Sequence, residues 1–223
     1  MAKDVKQKVS RIKVKKKNWY RILSSRIFGE KEIGETYLSS PESALGRTMK
    51  INLKDLTGNI KDQKIYISFT IDKVEGSILR TSATGYELTP TSVKRMVRKS
   101  TDRLDDYFVF RSKDGKEVVA KTLVITMFPT QRSVQKEIRK QFKDIIQDEI
   151  SKNTYDAFIN NLVTRKVQNA ARKILQKIYP LKEVALRVVA LKSSSAEGES
   201  APENQAESPA VEEPAAIQQE EAS

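Results

Sequence analysis

The sequence predicts an α+β fold: a barrel-like antiparallel β core with a short basic helix, a C-terminal helix pair and a returning strand. Three observations predict it. From Arg47 to Phe128, apolar and polar residues mostly alternate with a period of two. After Pro129 the apolar spacing lengthens to about 3.6 residues. After Pro180, "LKEVALRVVAL" is β-rich again. Strands, then helices, then one more strand is an α+β order. An antiparallel sheet of this kind tends to curl toward a barrel, because closure removes exposed edges.

Residues 1–25 read as a basic arm, disordered when free. The first 21 hold nine Lys and Arg, opposed only by Asp4, and have too few apolar residues to bury a face. Residues 22–46 read as irregular, with Gly29, Gly34, Pro41 and Gly46 as punctuation. In "TMKINLKDL" the apolar Met49, Ile51 and Leu53 alternate with polar neighbours, as do Ile65, Ile67, Phe69 and Ile71 in "IYISFTIDKV". "SILRTSATGYEL" continues as a strand. "TPTSVKRMVRK" reads as a short helix, with Thr89 able to cap, Pro90 in the first turn, and Val93, Met96 and Val97 on one face. Two β-rich runs around Lys113-Asp114-Gly115-Lys116 read as a hairpin, because Asp-Gly supplies the positive φ that a tight turn needs.

The first long helix covers residues 133–151, with Val134, Ile138, Phe142, Ile145 and Ile146 as its stripe. Asn153 or Thr154 can cap a second, running to Pro180 with Phe158, Ile159, Leu162, Val163, Ala170, Ile174, Leu175 and Ile178 inward. Residues 26–192 thus form the core domain. Residues 193–223 form an acidic, Pro/Ser/Ala-rich tail that cannot build a core and is expected to be disordered.

Charge narrows the function. The chain has 41 Lys and Arg against 29 Asp and Glu, and eight of those acids lie in the tail, which has no basic residue. Residues 1–192 therefore carry a net charge of about +20. Self-repulsion of that size implies a polyanionic partner. With no cysteine and no histidine, disulfides, thiol catalysis, serine–histidine triads and Cys/His zinc sites are all excluded within this chain. No apolar run marks a secretory signal or a spanning helix. No phosphate-binding glycine motif or nucleophile elbow is present. No cofactor, metal, membrane or small-molecule substrate is expected.

Four basic groups are the candidate RNA-binding residues. The arm gives Lys13, Lys15, Lys16, Lys17 and Arg21, with Trp19 and Tyr20 able either to stack on unpaired bases or to anchor the arm by burial. The short helix gives Lys94, Arg95, Arg98 and Lys99. The first long helix gives Lys136, Arg139, Lys140 and Lys143 on the side away from its apolar stripe. The second gives Arg165, Lys166, Arg172 and Lys173. Lysine and arginine neutralise phosphates and release counterions, which carries most of such affinity. An alternative enzyme reading places Mg²⁺ on Asp102, Asp105 and Asp106 for phosphodiester cleavage, against the plainer reading of a polar turn at a strand start.

Several segments together resemble a known family. They are "KKNWYRIL…IFGEKEIGETYLSSPESALGRTMKINLKDLTGN", "GYELTPTSVKRMVRKSTDRLDDYF", "DGKEVVAKTLVITMFPTQRSVQKEIRKQF" and "KNTYDAFINNLVTRKVQNAARKILQKIYPLKEVALRV". In order, from about Lys16 to Val188, they resemble the archaeal and eukaryotic small-subunit ribosomal protein family eS1, also called S3Ae. The most specific markers are Trp19-Tyr20, Phe28-Gly29, Gly34-Glu35-Thr36, Asp55 to Gly58, Glu87-Leu88-Thr89 and Lys177 to Leu181. The resemblance implies a β-barrel core with added helices and no catalytic site. It also implies a place on the platform of the small subunit, near the 3′ end of its RNA and the messenger exit. The expected partners are ribosomal RNA and neighbouring platform proteins, in the cytoplasm. The compact length and the lack of a long basic C-terminal extension look archaeal. A free-standing RNA-binding protein or RNA chaperone would use the same surface.

Overall fold

Eight strands and five helices follow one another along residues 16–192, the part of the chain that the computed structural model describes. The first 15 residues of the expected arm, and the acidic tail, lie outside the described residues. The strands are β1 (Asn18–Leu23), β2 (Glu32–Leu38), β3 (Thr48–Asn52), β4 (Ile65–Glu75), β5 (Ile78–Leu88), β6 (Arg103–Arg111), β7 (Glu117–Thr126) and β8 (Leu181–Leu191). The helices are α1 (Leu53–Thr57), α2 (Pro90–Met96), α3 (Arg132–Lys152), α4 (Tyr155–Val163) and α5 (Lys166–Leu175). None of them is long and apolar enough to cross a membrane.

The α+β class holds, with an open sheet as the barrel-like core: the strand order is β2-β1-β5-β8-β7-β6, with β4 and then β3 branching from β5. β5 is the junction. Along one edge it pairs antiparallel with β4, from Ile78↔Glu75 to Leu88↔Ile65. Along the other it first runs parallel to β1, Arg21↔Ile78 to Leu23↔Arg80, and then antiparallel to β8 at Gly85↔Ala190 to Glu87↔Val188. The β1–β5 pairing departs from the all-antiparallel expectation. Two register shifts in β4, at Ser68/Phe69 and Ile71/Lys73, add the local twist that bulges bring. Gly85 sits beside the first. A Cβ there would lie 3.3 Å from the Ser68 Cβ and 3.5 Å from the Val189 carbonyl oxygen, so the missing side chain lets three strands approach.

Residues 22–46, expected to be irregular, contain the end of β1, all of β2 and two short 3-10 turns. β1 also lies inside the segment assigned to the arm, so the described sheet begins at Asn18. Its alternation is too short to read alone: Tyr20 and Ile22 point inward to a small second core with Leu38, Ala44, Ile71 and Leu79. Leu53, read as a strand residue, instead opens α1. The Asn52 side chain accepts the Lys54 N–H at 2.9 Å, and Gly58 ends the helix with φ 75°.

The helices cover the main core. α3 buries Ile138, Phe142, Ile146 and Ile150 at four-residue spacing and packs against β6. The second expected helix is two. Thr164 Oγ1 donates to the Asn160 carbonyl at 2.9 Å and the Asn161 carbonyl at 3.3 Å, and Arg165 takes a left-handed φ of 58°. The break resets the helical phase. Ala170 and Ile174 are exposed, while Val167, Ala171 and Leu175 face β8.

Acids just outside the strands fix the helix starts. Asp102 Oδ2 accepts from the Thr130 N–H at 2.7 Å, the Thr130 hydroxyl at 2.9 Å and the Gln135 amide at 3.0 Å, tying the start of β6 to the turn before α3. The Thr130 backbone bond, then the Thr130 hydroxyl bond, holds the Asp102 carboxyl below the ordinary carboxylate range. The β6–β7 turn spans Ser112 to Lys116, with Gly115 at φ 75°, and Asp114 within it accepts the Tyr155 N–H at 3.0 Å. That bond caps α4 from outside the helix, beside the Thr154 hydroxyl on Ala157 N–H.

Phe142→Ala should destabilise the fold by about 3–5 kcal/mol in denaturant unfolding, as expected for a phenyl ring removed from a filled core. Asp102 has its folded pKa lowered, so its contribution exists above the unfolded carboxylate value of about 3.9 and disappears as pH falls through the folded value. Asp102→Asn should therefore lower Tm at about pH 7, and the difference from the parent protein should shrink below about pH 4, read by thermal melts across that range.

Candidate nucleic-acid interface

α2 is a short wall with a cation-lined hollow on each side. Its start is set by Pro90 in the first turn and by the Thr89 carbonyl, which accepts from Ser92 N–H at 3.0 Å; the Thr89 side chain makes no cap. Val93 is buried and so fixes the rotation of the helix. Arg95 then lines a hollow of about 440 Å³ with Lys61 and Lys64. Lys94 lines another of about 380 Å³ with Arg103, Lys121 and Arg187. A third, of about 210 Å³, shares Lys64 and is lined by Arg165 and Arg172 of the helical layer. Tyr86 borders it, and burial pushes its phenol up to about 12, so it stays neutral there.

The candidate residues divide. Lys94, Arg95, Arg98 and Lys99 are exposed on α2 and just beyond it. Lys166, Arg172 and Lys173 are exposed on α5, and Arg172 alone of these lines one of the hollows beside α2. Lys136, Lys140 and Lys143 are exposed on α3 but line none of the hollows beside α2. Arg139 is bound to Asp106 at 3.0 Å, and Arg165 to Asp62 at 3.5 Å and to the Lys61 carbonyl at 3.4 Å. Those two guanidinium groups hold helices to the sheet side of the molecule.

Of the arm residues, Lys13 and Lys15 lie outside the described residues, and Lys16 and Lys17 are exposed ahead of β1. The aromatic pair splits, because adjacent strand residues face opposite ways. Tyr20 is buried, so of the two alternatives open for it the anchoring one fits its position. Trp19 is 64% exposed and lies 4.9 Å from Tyr37 of β2, its cross-strand neighbour. Lys17 Nζ stands 5.6 Å above the Tyr37 ring. Arg21, on the same face, comes within 3.9 Å of Glu32 and 4.0 Å of Glu35.

Several residues beside α2 escaped the sequence reading: Lys61, Lys64, Arg103, Lys121 and Arg187. They are spread from residue 61 to residue 187 and form no helical stripe; the fold collects them.

The three aspartates do not form a shared site. Asp102 is taken up by Thr130 and Gln135, Asp105 by Arg103 and by Arg187 at 3.8 Å, and Asp106 by Arg139. Burial raises the Asp106 carboxyl, against the pull of Arg139, and Asp105 raises it further. Among the described residues, no group of three or more acidic side chains could hold a metal ion. The nuclease reading loses its constellation.

Comparison with known proteins identifies the family to which this β core and its basic surface belong. The Ribosomal S3Ae family matches residues 5–194. A small ribosomal subunit protein eS1 from Methanothermobacter thermautotrophicus is 33% identical over 172 residues, covering 77% of this chain and 88% of the relative. Its namesake from Sulfurisphaera tokodaii is 33% identical, covering 77% of this chain and 89% of the relative. One from Saccharolobus islandicus is 30% identical over 174 residues, covering 78% of this chain and 84% of the relative. The chain belongs to the Ribosomal S3Ae family of small-subunit ribosomal proteins, also called eS1, and is of its archaeal type.

Proposed function

We propose that this protein holds ribosomal RNA on the platform of the small subunit, near the messenger exit, and contacts neighbouring platform proteins there. Family membership makes it a structural constituent of the small ribosomal subunit and not an enzyme. The observation that carries the RNA reading is α2 with its two flanking hollows. Lys94 faces one set of cations and Arg95 the other, so seven basic side chains gather within one small region, against Glu87 in the Lys94 hollow and Asp105, which Arg103 and Arg187 share. Their mutual repulsion is relieved by phosphate oxygens. Lys136, Lys140, Lys143, Lys166 and Lys173 extend the positive surface over the helical layer. Trp19 with Tyr37 offers an exposed aromatic face beside Lys17, suited to an unpaired base or to the apolar edge of a neighbouring protein.

Binding of the isolated protein to small-subunit RNA should fall steeply and linearly in log affinity against log salt, read by filter binding. Lys94→Ala with Arg95→Ala should make that slope shallower by about 1.4 to 1.8, and a slope equal to the parent's would remove α2 from the interface. In cells, the parent protein should stay with 30S particles through a high-salt wash, and a Lys94→Glu, Arg95→Glu, Arg98→Glu variant should be depleted from them. Parent protein released by that wash would identify a loosely associated factor.

A further inference from the structure

The outward face of β3 and β4 carries a feature that the ribosomal reading does not assign. Asn52, Tyr66 and Glu87 are successive cross-strand neighbours there. Tyr66 is 37% exposed as a residue and lines two hollows at once. The first is the 440 Å³ hollow beside α2, where Lys61, Lys64 and Arg95 converge and no Asp or Glu contributes. The second, of about 510 Å³, contains Lys50 and Lys54 with Asp55. Lys50 is already bound to Glu87 at 2.8 Å, so the uncompensated charge lies in the first.

That first hollow is built on fixed backbone. The Asn52 side chain accepts from Lys54 N–H and donates to the Gln63 carbonyl, both at 2.9 Å, which locks the floor shared by the two hollows. Arg165 grips the Lys61 carbonyl and the Asp62 carboxylate, which fixes the 3-10 turn that carries Lys61. Thr89 N–H donates to the Lys64 carbonyl at 2.9 Å, which ties Lys64 to the start of α2 and so to Arg95. On the rim, Ile60 is 74% exposed, a large apolar side chain standing among cations.

We infer that this hollow is a site for single-stranded RNA, in which an unpaired base lies against Tyr66 and Ile60 while Lys61, Lys64 and Arg95 neutralise the flanking phosphates. The inference rests on the RNA reading above and adds the form of RNA recognised. A duplex offers phosphates but keeps its base faces stacked, so it would leave the ring and the isoleucine without a partner. An unpaired nucleotide satisfies both the cations and the apolar surfaces. The volume falls within the range of about 300 to 1,000 Å³ usual for small-ligand sites, far short of a helix. A sequence-tolerant preference is expected, because every base has a face that can stack.

The test uses the full chain and two labelled RNAs, a mixed-sequence single strand of about six nucleotides and a blunt-ended hairpin duplex, followed by fluorescence anisotropy. Tyr66→Ala should weaken single-strand binding about tenfold, leave duplex binding unchanged, and leave the circular dichroism of the protein unchanged. Tyr66→Phe should bind as the parent does. Lys61→Ala with Lys64→Ala should make the single-strand salt slope shallower by about 1.4. The inference is overturned if Tyr66→Ala affects both RNAs equally or neither. Should the parent bind both RNAs with a steep salt dependence while Tyr66→Ala stays unchanged, the single-strand site falls and the RNA reading stands. Should the parent bind neither RNA at low salt, both fall, and the hollow is left to a protein partner.

Discussion

At Gly85 three strands come within contact distance, since a Cβ there would press on Ser68 of β4 at 3.3 Å and meet the Val189 carbonyl of β8 at 3.5 Å. That close approach lets β5 keep β4 along its whole length while its other edge passes from β1 to β8. Each part of the molecule descends from one of those pairings. The β4 side leads to β3, α1 and the floor of the Tyr66 hollows. The β1 side leads to the β1–β2 hairpin and its exposed Trp19–Tyr37 pair. The β8 side leads to β7, β6 and the helical layer. A side chain at position 85 would need Ser68 to give way by a few tenths of an ångström, at the point where all three pairings meet.

The cations sort by what they touch. Arg139 and Arg165 each end on a carboxylate whose side chain is largely shielded, and each joins a helical element to another part of the fold. Partly exposed ion pairs of this sort contribute modestly to stability, about 1 kcal/mol or less. Their larger effect is geometric: Arg165 sets the loop that carries Lys61. The cations facing the hollows beside α2 include residues that the sheet topology holds at fixed separation. The protein thus uses some of its positive charge to place the rest.

Much of the fold was legible because it repeats locally. The β6–β7 hairpin, α2, α3 and β8 all announce themselves by period or by turn chemistry within a dozen residues. What was not legible depends on contacts far along the chain. β1 and β2 have short, weak alternation, and Tyr20 and Ile22 become core only because Leu79 and Leu38 arrive opposite them. The break before α5 carries neither glycine nor proline; it comes from a threonine back-bond and an arginine held in place by Asp62. The site shows the same division. α2's cations were visible as a helical cluster. Lys61, Lys64 and Arg187 were not, because no window of sequence contains all three. Arg139 and Arg165 looked free for the same reason: their carboxylate partners lie on remote elements.

β8 is the last element of the described fold, yet it lies in the interior of the sheet, between β5 and β7. Synthesis therefore delivers the chain in an awkward order. The β4–β5 and β6–β7 hairpins are complete while the strand that joins them is still unmade, so both present open hydrogen-bonding edges. Nascent chain at that stage carries the hazard of any unpaired edge, pairing with a neighbour. Its strong positive charge works against that outcome, because two such chains repel before their edges meet. The same charge that suits the finished protein to a polyanion keeps its half-made form apart from its own copies.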